Sequence, residues 1–229
     1  MQTLSKLSHS YSSIKQYDQC PRKYYHMRIA KDVKDEQGEQ AAYGEWVHKA
    51  FEEFVRDKKP LPTTLAVWGS ALEKFLLLET ECEKEIVLDE NLQPLDDWFH
   101  PAAWLRGKID LMVRLSPGSM LVIDYKTGKR KPDFDQLEMF ALFVFTYFPE
   151  VEVVMGAFLW TQFPKTGLED QRVYKRGEAD KLWAKHMSRI NTIHSSYAND
   201  NWPCRPSGLC KWKTGQCAAY NVCPAGGLK

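Results

Sequence analysis

Long hydrophobic runs are missing from this 229-residue chain. No apolar stretch approaches the roughly 20 residues that a membrane-crossing helix needs. The opening MQTLSKLSHS is too polar to hold the apolar segment of a secretory signal. A cytoplasmic protein with no membrane partner is the expectation. Charge of one sign is also in short supply: 31 Lys and Arg stand against 30 Asp and Glu, a net charge of +1. A nucleic-acid surface must then come from a local cluster of bases and not from a global excess. No internal repeat or low-complexity segment occurs, so a solenoid is excluded. Cysteine is sparse until the end, where Cys204, Cys210, Cys217 and Cys223 account for four of the six. Scattered disulfides do not suit a reducing compartment, which makes that clustering noteworthy.

What is present suits one well-buried domain, with 44% hydrophobic and 13% aromatic residues. The organising stretch is 105–131, LRGKIDLMVRLSPGSMLVIDYKTGKRK. Ile109, Leu111 and Val113 alternate with Asp110, Met112 and Arg114, which is the period of a strand. Ser116, Pro117, Gly118 and Ser119 form a turn signal, and a second apolar run, 120–123, ends in Asp124, Tyr125 and Lys126. This predicts a hairpin with Asp110 and Asp124 near the ends of adjacent strands, and with Asp124 and Lys126 on one face. Two carboxylates are hard ligands for Mg²⁺ or Mn²⁺, and a lysine beside them can orient water or stabilise developing charge. The plainer alternative is a surface Asp124–Lys126 ion pair.

The series G-x-x-D (Gly107, Asp110), D-Y-K (Asp124, Tyr125, Lys126) and Q-L-x-x-F (Gln136, Leu137, Phe140) resembles the PD-(D/E)XK nuclease superfamily. It looks most like the RecB-type branch, which includes CRISPR-associated adaptation nucleases and phage recombination exonucleases. Further matches extend from Ser10 to about Pro224. The string S-Y-S-S-I-x-x-Y-x-x-C-P-R-K-Y-Y, with Ser10 or Ser12 able to cap a helix and Pro21 interrupting it, resembles the N-terminal signature of cluster-bearing members. In those, the cysteine equivalent to Cys20 is the first of four ligands; read alone, Cys20 is equally a small buried hydrophobe. G-x-x-x-H (Gly44, His48) matches the motif that supplies a histidine near the metal. That pair sits in a predicted helix, 41–56, with Tyr43, Val47, Ala50, Phe51, Phe54 and Val55 on one side. Glu85 occupies the place of an acidic residue that precedes G-x-x-D in some relatives. Gln136 falls in the first turn of a helix from Asp133 or Asp135 to Tyr147; relatives carry tyrosine where this chain has Phe140.

Other elements follow from pattern. A helix is predicted from Thr63 or Thr64 to about Thr80, a strand over 83–89, strands over 151–163 and 171–175 joined by a turn at 164–167, and a last helix from Gly177. Residues 31–40 read as a charged loop, and Lys126, Lys129, Arg130 and Lys131 as a basic cluster.

In the tail, Cys210, Cys217 and Cys223 are spaced C-x6-C-x5-C and followed by Pro224. The resemblance implies that they join Cys20 in holding a [4Fe-4S] cluster. Relatives usually show C-x2-C first, and Lys213 stands at that x2 position here, so Cys204 is a rival for Cys210. Four thiolates holding Zn²⁺, or no metal at all, are the other readings.

The resemblance implies an α/β, restriction-endonuclease-like core with a central mixed sheet of about four or five strands flanked by helices. It implies one nuclease domain over 1–229, with the catalytic core sheet in 83–175 and a cysteine-bearing rim built from 1–30 and 200–224. His48, Asp110, Asp124 and the Tyr125 carbonyl would hold Mg²⁺ or Mn²⁺, while Asp110, Asp124, Lys126 and Gln136 would form the catalytic set. The activity implied is a DNA nuclease, an exonuclease on ends or single strands in recombination, repair or CRISPR adaptation, working with a helicase, recombinase or adaptation partner. A non-catalytic DNA-binding or assembly subunit with the same fold is the alternative.

Overall fold

The computed structural model describes residues 7–34, 38–163 and 168–227. Contacts divide the chain into a middle unit, Gly38–Ala184, and a terminal unit made of Met1–Gln37 with Lys185–Lys229. In chain order, the terminal unit begins with a two-residue strand β1 (His9–Ser10), α1 (Tyr11–Gln19) and α2 (Pro21–Tyr24). The middle unit runs α3 (Glu39–Asp57), a 3-10 turn (Thr63–Trp68), α4 (Gly69–Glu73), β2 (Thr80–Leu88) and β3 (Pro94–Leu95). It continues through β4 (Leu105–Ser116), β5 (Ser119–Lys126), α5 (Phe134–Tyr147), β6 (Val153–Trp160) and β7 (Leu168–Lys175). The long helix α6 (Ala179–Ala198) begins in the middle unit and continues into the terminal one, before β8 (Lys211–Trp212), β9 (Gly215–Gln216) and α7 (Pro224–Gly227).

Six strands of the middle unit lie in the order β3-β2-β4-β5-β6-β7. The β5–β6 pair is parallel and the other pairs are antiparallel, so the sheet is mixed. A parallel neighbour needs a crossover, and α5 supplies it. The hairpin predicted around 117–118 is β4–β5. One further strand, β3, raises the count above the expected four or five; it is two residues long, too short for any periodicity to register.

One face of the sheet packs Leu111, Val113, Leu121 and Ile123 against Val47, Phe51 and Val55 of α3 and against Leu65, Trp68, Leu72 and Phe75. On α5, every residue from Leu137 to Phe145 is buried, as suits a helix apolar nearly all round. Two glycines seat α5. A Cβ at Gly107 would lie 2.2 Å from Phe143 Cε2, and one at Gly156 would lie 2.9 Å from Leu137 Cβ. The Tyr147 hydroxyl pins the helix end by accepting from Val87 N at 2.9 Å and lying 2.8 Å from the carbonyl oxygens of Val87 and Leu95. These contacts set where the first turn of α5, with Gln136, meets the end of β5.

Several expectations change. The helix predicted over 63–80 is a 3-10 turn, the five-residue α4 and then turns, because Leu65, Trp68, Leu72 and Phe75 are buried while Leu77 is 92% exposed. The freed residues enter β2, which starts at Thr80 and not at Glu83. Tyr43 is exposed and not on the buried side of α3. Asp133 stands at the N-cap of α5, yet its side chain makes no capping bond. The predicted turn at 164–167 and part of the 31–40 loop, 35–37, lie outside the described residues. Among the described residues no helix is long and apolar enough to cross a membrane.

In the terminal unit the N-terminal helices bind the end of the chain. Ser10 caps α1, its Oγ accepting from Ser13 N at 3.2 Å. Arg189 reaches Asp18 at 2.5 Å, the Tyr17 hydroxyl meets Ser196 Oγ at 2.5 Å, and Trp202 stacks on Tyr24 at 6.0 Å. Arg22 N donates to Pro203 O at 3.2 Å, which sets Cys20 beside the cysteine-bearing tail.

Candidate active site and cysteine cavity

The β4–β5 ladder stops at Leu111↔Ile123. Beyond it the strands separate. The Asp110 side chain takes over from the ladder, its Oδ2 accepting the Tyr125 N–H at 2.7 Å. That divergence opens a gap into which side chains from five elements converge. His48 comes from α3, Glu83 from β2, Asp110 from β4, Asp124 and Lys126 from β5, and Gln136 from α5. The alternation of β5 turns the Tyr125 ring the other way, edge-on to Phe51 at 5.0 Å and to His48 at 5.6 Å.

His48 Nε2 lies 3.1 Å from the Tyr125 carbonyl oxygen. Its Nδ1 is 3.4 Å from Asp110 Oδ1 and 3.8 Å from Glu83 Oε1. One ligand atom from each of His48, Glu83 and Asp110 fits within a mutual 4.8 Å. Asp124, only 3% exposed, sits on the α5 side. Gln136 Nε2 donates to Asp124 Oδ1 at 2.8 Å, and Gln136 Oε1 accepts from Lys126 Nζ at 2.9 Å. Lys126 Nζ also lies 2.5 Å from Asp124 Oδ2, an ion pair. Phe140, where relatives carry tyrosine, is buried in the packing of α5.

The charges explain the titration. Burial opposes a positive charge on His48, but Asp110 and Glu83 outweigh it and raise the imidazole to about 10. Burial pushes Asp124 up to about 6; Lys126 pulls it down, and Asp110 adds to the rise. For Glu83, burial is outweighed by His48 and Lys108, and its carboxyl is lowered. Protonated His48 thus sits where negative charge converges. Glu83 Oε1 is buried without a hydrogen-bond donor, and Asp124 Oδ2 is met only by the Lys126 ammonium. Buried acceptors of this kind, with hard oxygen chemistry, fit a divalent cation.

Sequence reasoning placed His48, Asp110, Asp124, Tyr125, Lys126 and Gln136 together, and the structure brings all six into one neighbourhood. It missed Glu83. Glu85 is exposed and pairs across the ladder with Lys108, two residues from Asp110. The pairs Cys82↔Leu111 and Lys84↔Ile109 bracket Glu83, which therefore stands opposite Asp110. It also has a left-handed φ of 52° and an ion pair to Lys108 at 2.7 Å. The antiparallel register was the signal that could have found it.

Acids and a lysine gathered where two strands of a mixed sheet diverge suit metal-assisted phosphodiester chemistry. The chain belongs to the PD-(D/E)XK nuclease superfamily, whose family model matches residues 8–224. A solved structure with a TM-score of 0.50 shares the fold. SSO0001 is similar over 97% of this chain and 88% of its own, at 14% identity and a TM-score of 0.50. A protein from Eubacterium rectale, to which an exonuclease activity is ascribed, covers 95% of this chain and 93% of its own, at 13% identity and a TM-score of 0.47. A search of curated proteins gives no match.

Within the terminal unit, Cys20, Cys210, Cys217 and Cys223 line one cavity of about 170 Å³. Cys217 N donates to the Cys210 carbonyl at 2.9 Å, closing the β8–β9 hairpin. Cys204 stands at the margin, its sulfur 3.5 Å from that of Cys223. Burial, with Cys204 adding to it, raises the Cys223 thiol. No three cysteine sulfurs among the described residues lie within 4.8 Å of one another.

Proposed function

We propose that this nuclease is a Mg²⁺- or Mn²⁺-dependent deoxyribonuclease that works from DNA ends or on single strands, in recombination, repair or CRISPR adaptation. The observation that carries the reading is the convergence of ligand atoms from His48, Glu83 and Asp110 within 4.8 Å of one another, beside buried Asp124 and the Lys126–Gln136 clamp. His48, Glu83, Asp110, Asp124 and the Tyr125 carbonyl would hold the cation, which supplies an acidified water and neutralises charge on phosphorus. Lys126, fixed between Asp124 and Gln136, donates to the developing negative charge. Gln136 holds that ammonium in place and keeps Asp124 oriented.

The test is cleavage of end-labelled single- and double-stranded DNA with Mg²⁺ or Mn²⁺. Release of labelled mononucleotides is expected for an exonuclease, and a fragment ladder would assign internal cutting instead. Lys126→Ala should lower turnover by about two or more orders of magnitude, the scale of losing one preorganised donor. Binding without any cleavage by the wild-type protein would assign the non-catalytic alternative.

Proton linkage offers a second check. A cation at this site competes with the His48 proton, and below pH 6 with the Asp124 proton as well. Mn²⁺ affinity should therefore rise with pH across 5–8. Near neutral pH about one proton should leave per ion bound, because His48 is charged without metal and must be neutral to ligate. Calorimetry in buffers of different ionisation enthalpy reads that number. His48→Gln should abolish the release; a pH-independent affinity with no proton released would remove His48 from the ligand set.

Four thiols lining one cavity suit a thiolate-held [4Fe-4S] cluster, with a four-thiolate Zn²⁺ site as the alternative. Cys20, Cys210, Cys217 and Cys223 would hold the cluster, which would tie the N-terminal helices to the tail and contribute stability.

A further inference from the structure

The N-terminal half of α3 carries an aromatic pair that the core does not use. Tyr43 and Trp46 are 47% and 42% exposed, with ring centroids 5.8 Å apart and planes 34° from each other. Large aromatics one helical turn apart normally mark a buried stripe, and here the stripe on α3 is Val47, Phe51 and Val55 instead. The pair shares α3 with the candidate active site, its residues alternating with Gly44 and His48 in sequence and pointing to another side of the helix.

Two hollows meet on this helix. One is lined by Gly44, His48, Lys108 and the acids Glu45, Glu52 and Glu83, the other by Trp46, Glu53, Lys59 and Pro60, and Lys49 borders both. A chain leaving the metal ligands can thus pass over Lys49 onto Trp46, against which the Tyr43 ring lies. Lys49 and Lys59 are held by Glu52 and Glu53. Phosphate charge must therefore be met elsewhere, and the basic loop after β5 provides it. A Cβ at Gly44 would lie 3.3 Å from Thr127 Oγ1. That close approach brings the start of the loop that carries exposed Lys129 and Lys131 against α3 at Gly44.

We infer that Tyr43 and Trp46 form a stacking platform for unpaired bases of a single-stranded nucleic acid whose backbone is followed by Lys129 and Lys131 into the His48–Asp110 site. Every base has a π-face, so such a platform binds without regard to sequence. A duplex keeps its bases stacked on each other and offers the platform little. This inference rests on the nuclease reading for its direction, and supplies the strand preference that the metal site alone does not.

The test is binding of a fluorescently labelled oligothymidylate and of a duplex of equal length in EDTA, where cleavage is off. Tyr43→Ala and Trp46→Ala should each weaken single-strand binding by roughly tenfold, with Trp46→Phe near wild type and duplex binding little changed. Both positions are exposed, and unchanged melting would verify the fold. Lys129→Ala should reduce the slope of log affinity against log salt by about 0.7, whereas the aromatic variants should keep the wild-type slope. On a short single-stranded substrate, Trp46→Ala should raise KM and leave kcat unchanged. Equal weakening for both DNA forms, no weakening for either, or loss of self-association in Trp46→Ala as its sole effect would overturn the platform. Wild-type protein that binds single strands through Trp46 and cuts nothing would overturn the nuclease reading and leave the platform standing. Protein that cuts duplex and ignores single strands would do the reverse.

Discussion

Asp124→Ala should leave a folded protein that binds DNA and does not cut it. The expected loss in turnover is at least about three orders of magnitude, the upper end for removing one preorganised transition-state contact. Here the change removes a cation ligand and also the anion that positions Lys126 and Gln136. Stability should not suffer. Burial holds the Asp124 carboxyl above its ordinary range, so the ionised group opposes folding at neutral pH in the absence of metal. Asp110→Ala should be equally inactive and less stable. Its Oδ2 is the acceptor of the buried Tyr125 N–H, and a buried donor left alone costs about 1–3 kcal/mol. Melting curves in EDTA would therefore separate the two variants even though the cleavage assay does not. Near wild-type cutting by either variant would remove these residues from the site.

The difference between those two aspartates shows what a sequence can carry. Alternation through Ile109, Leu111 and Val113, a Ser-Pro-Gly-Ser turn and a second apolar run were enough for the β4–β5 hairpin, because period-two patterning and turn chemistry are local. That Asp124 and Lys126 share a face follows from the same period. The separate duty of Asp110, replacing a ladder bond where the strands part, depends on where pairing stops, and pairing is not local. The same reason explains Glu83 and Glu85. Both have the parity to face the site, and only the β2–β4 register decides between them. Tyr43 shows the limit of helical periodicity: it has the spacing of a core residue at a place where nothing covers it. The segment after Thr63 has the apolar spacing of a long helix, yet its chain turns early, because tertiary packing overrides propensity in short amphipathic pieces. The cysteine quartet was legible by a different route. No periodicity links Cys20 to a tail almost 200 residues away; the family signature did, and the four thiols then line one cavity.

That cavity yields the remaining large effect. Anaerobically purified protein should be brown, with broad absorbance at about 400 nm from thiolate-ligated iron. Cys20→Ser, Cys210→Ser, Cys217→Ser and Cys223→Ser should each bleach it, because a cubane needs four protein ligands and these four line the cavity. Bleaching should lower the melting temperature as well, since the N-terminal helices and the tail lose a shared anchor. Cys82→Ser is the control. It belongs to the middle unit, and burial raises its thiol to about 11, so it offers no thiolate at neutral pH. Cys204 is the informative position. Its sulfur is 3.5 Å from that of Cys223 and outside the cavity lining, so Cys204→Ser should keep the colour. Colour lost in Cys204→Ser and retained in Cys210→Ser would exchange those two ligands. Colourless protein with one zinc per chain after anaerobic purification would mean that the thiols close to tetrahedral spacing around a single ion. Protein free of both metals, with an unchanged melting temperature in all four variants, would show that packing around Tyr17, Trp202 and Arg189 holds the chain ends together without a metal.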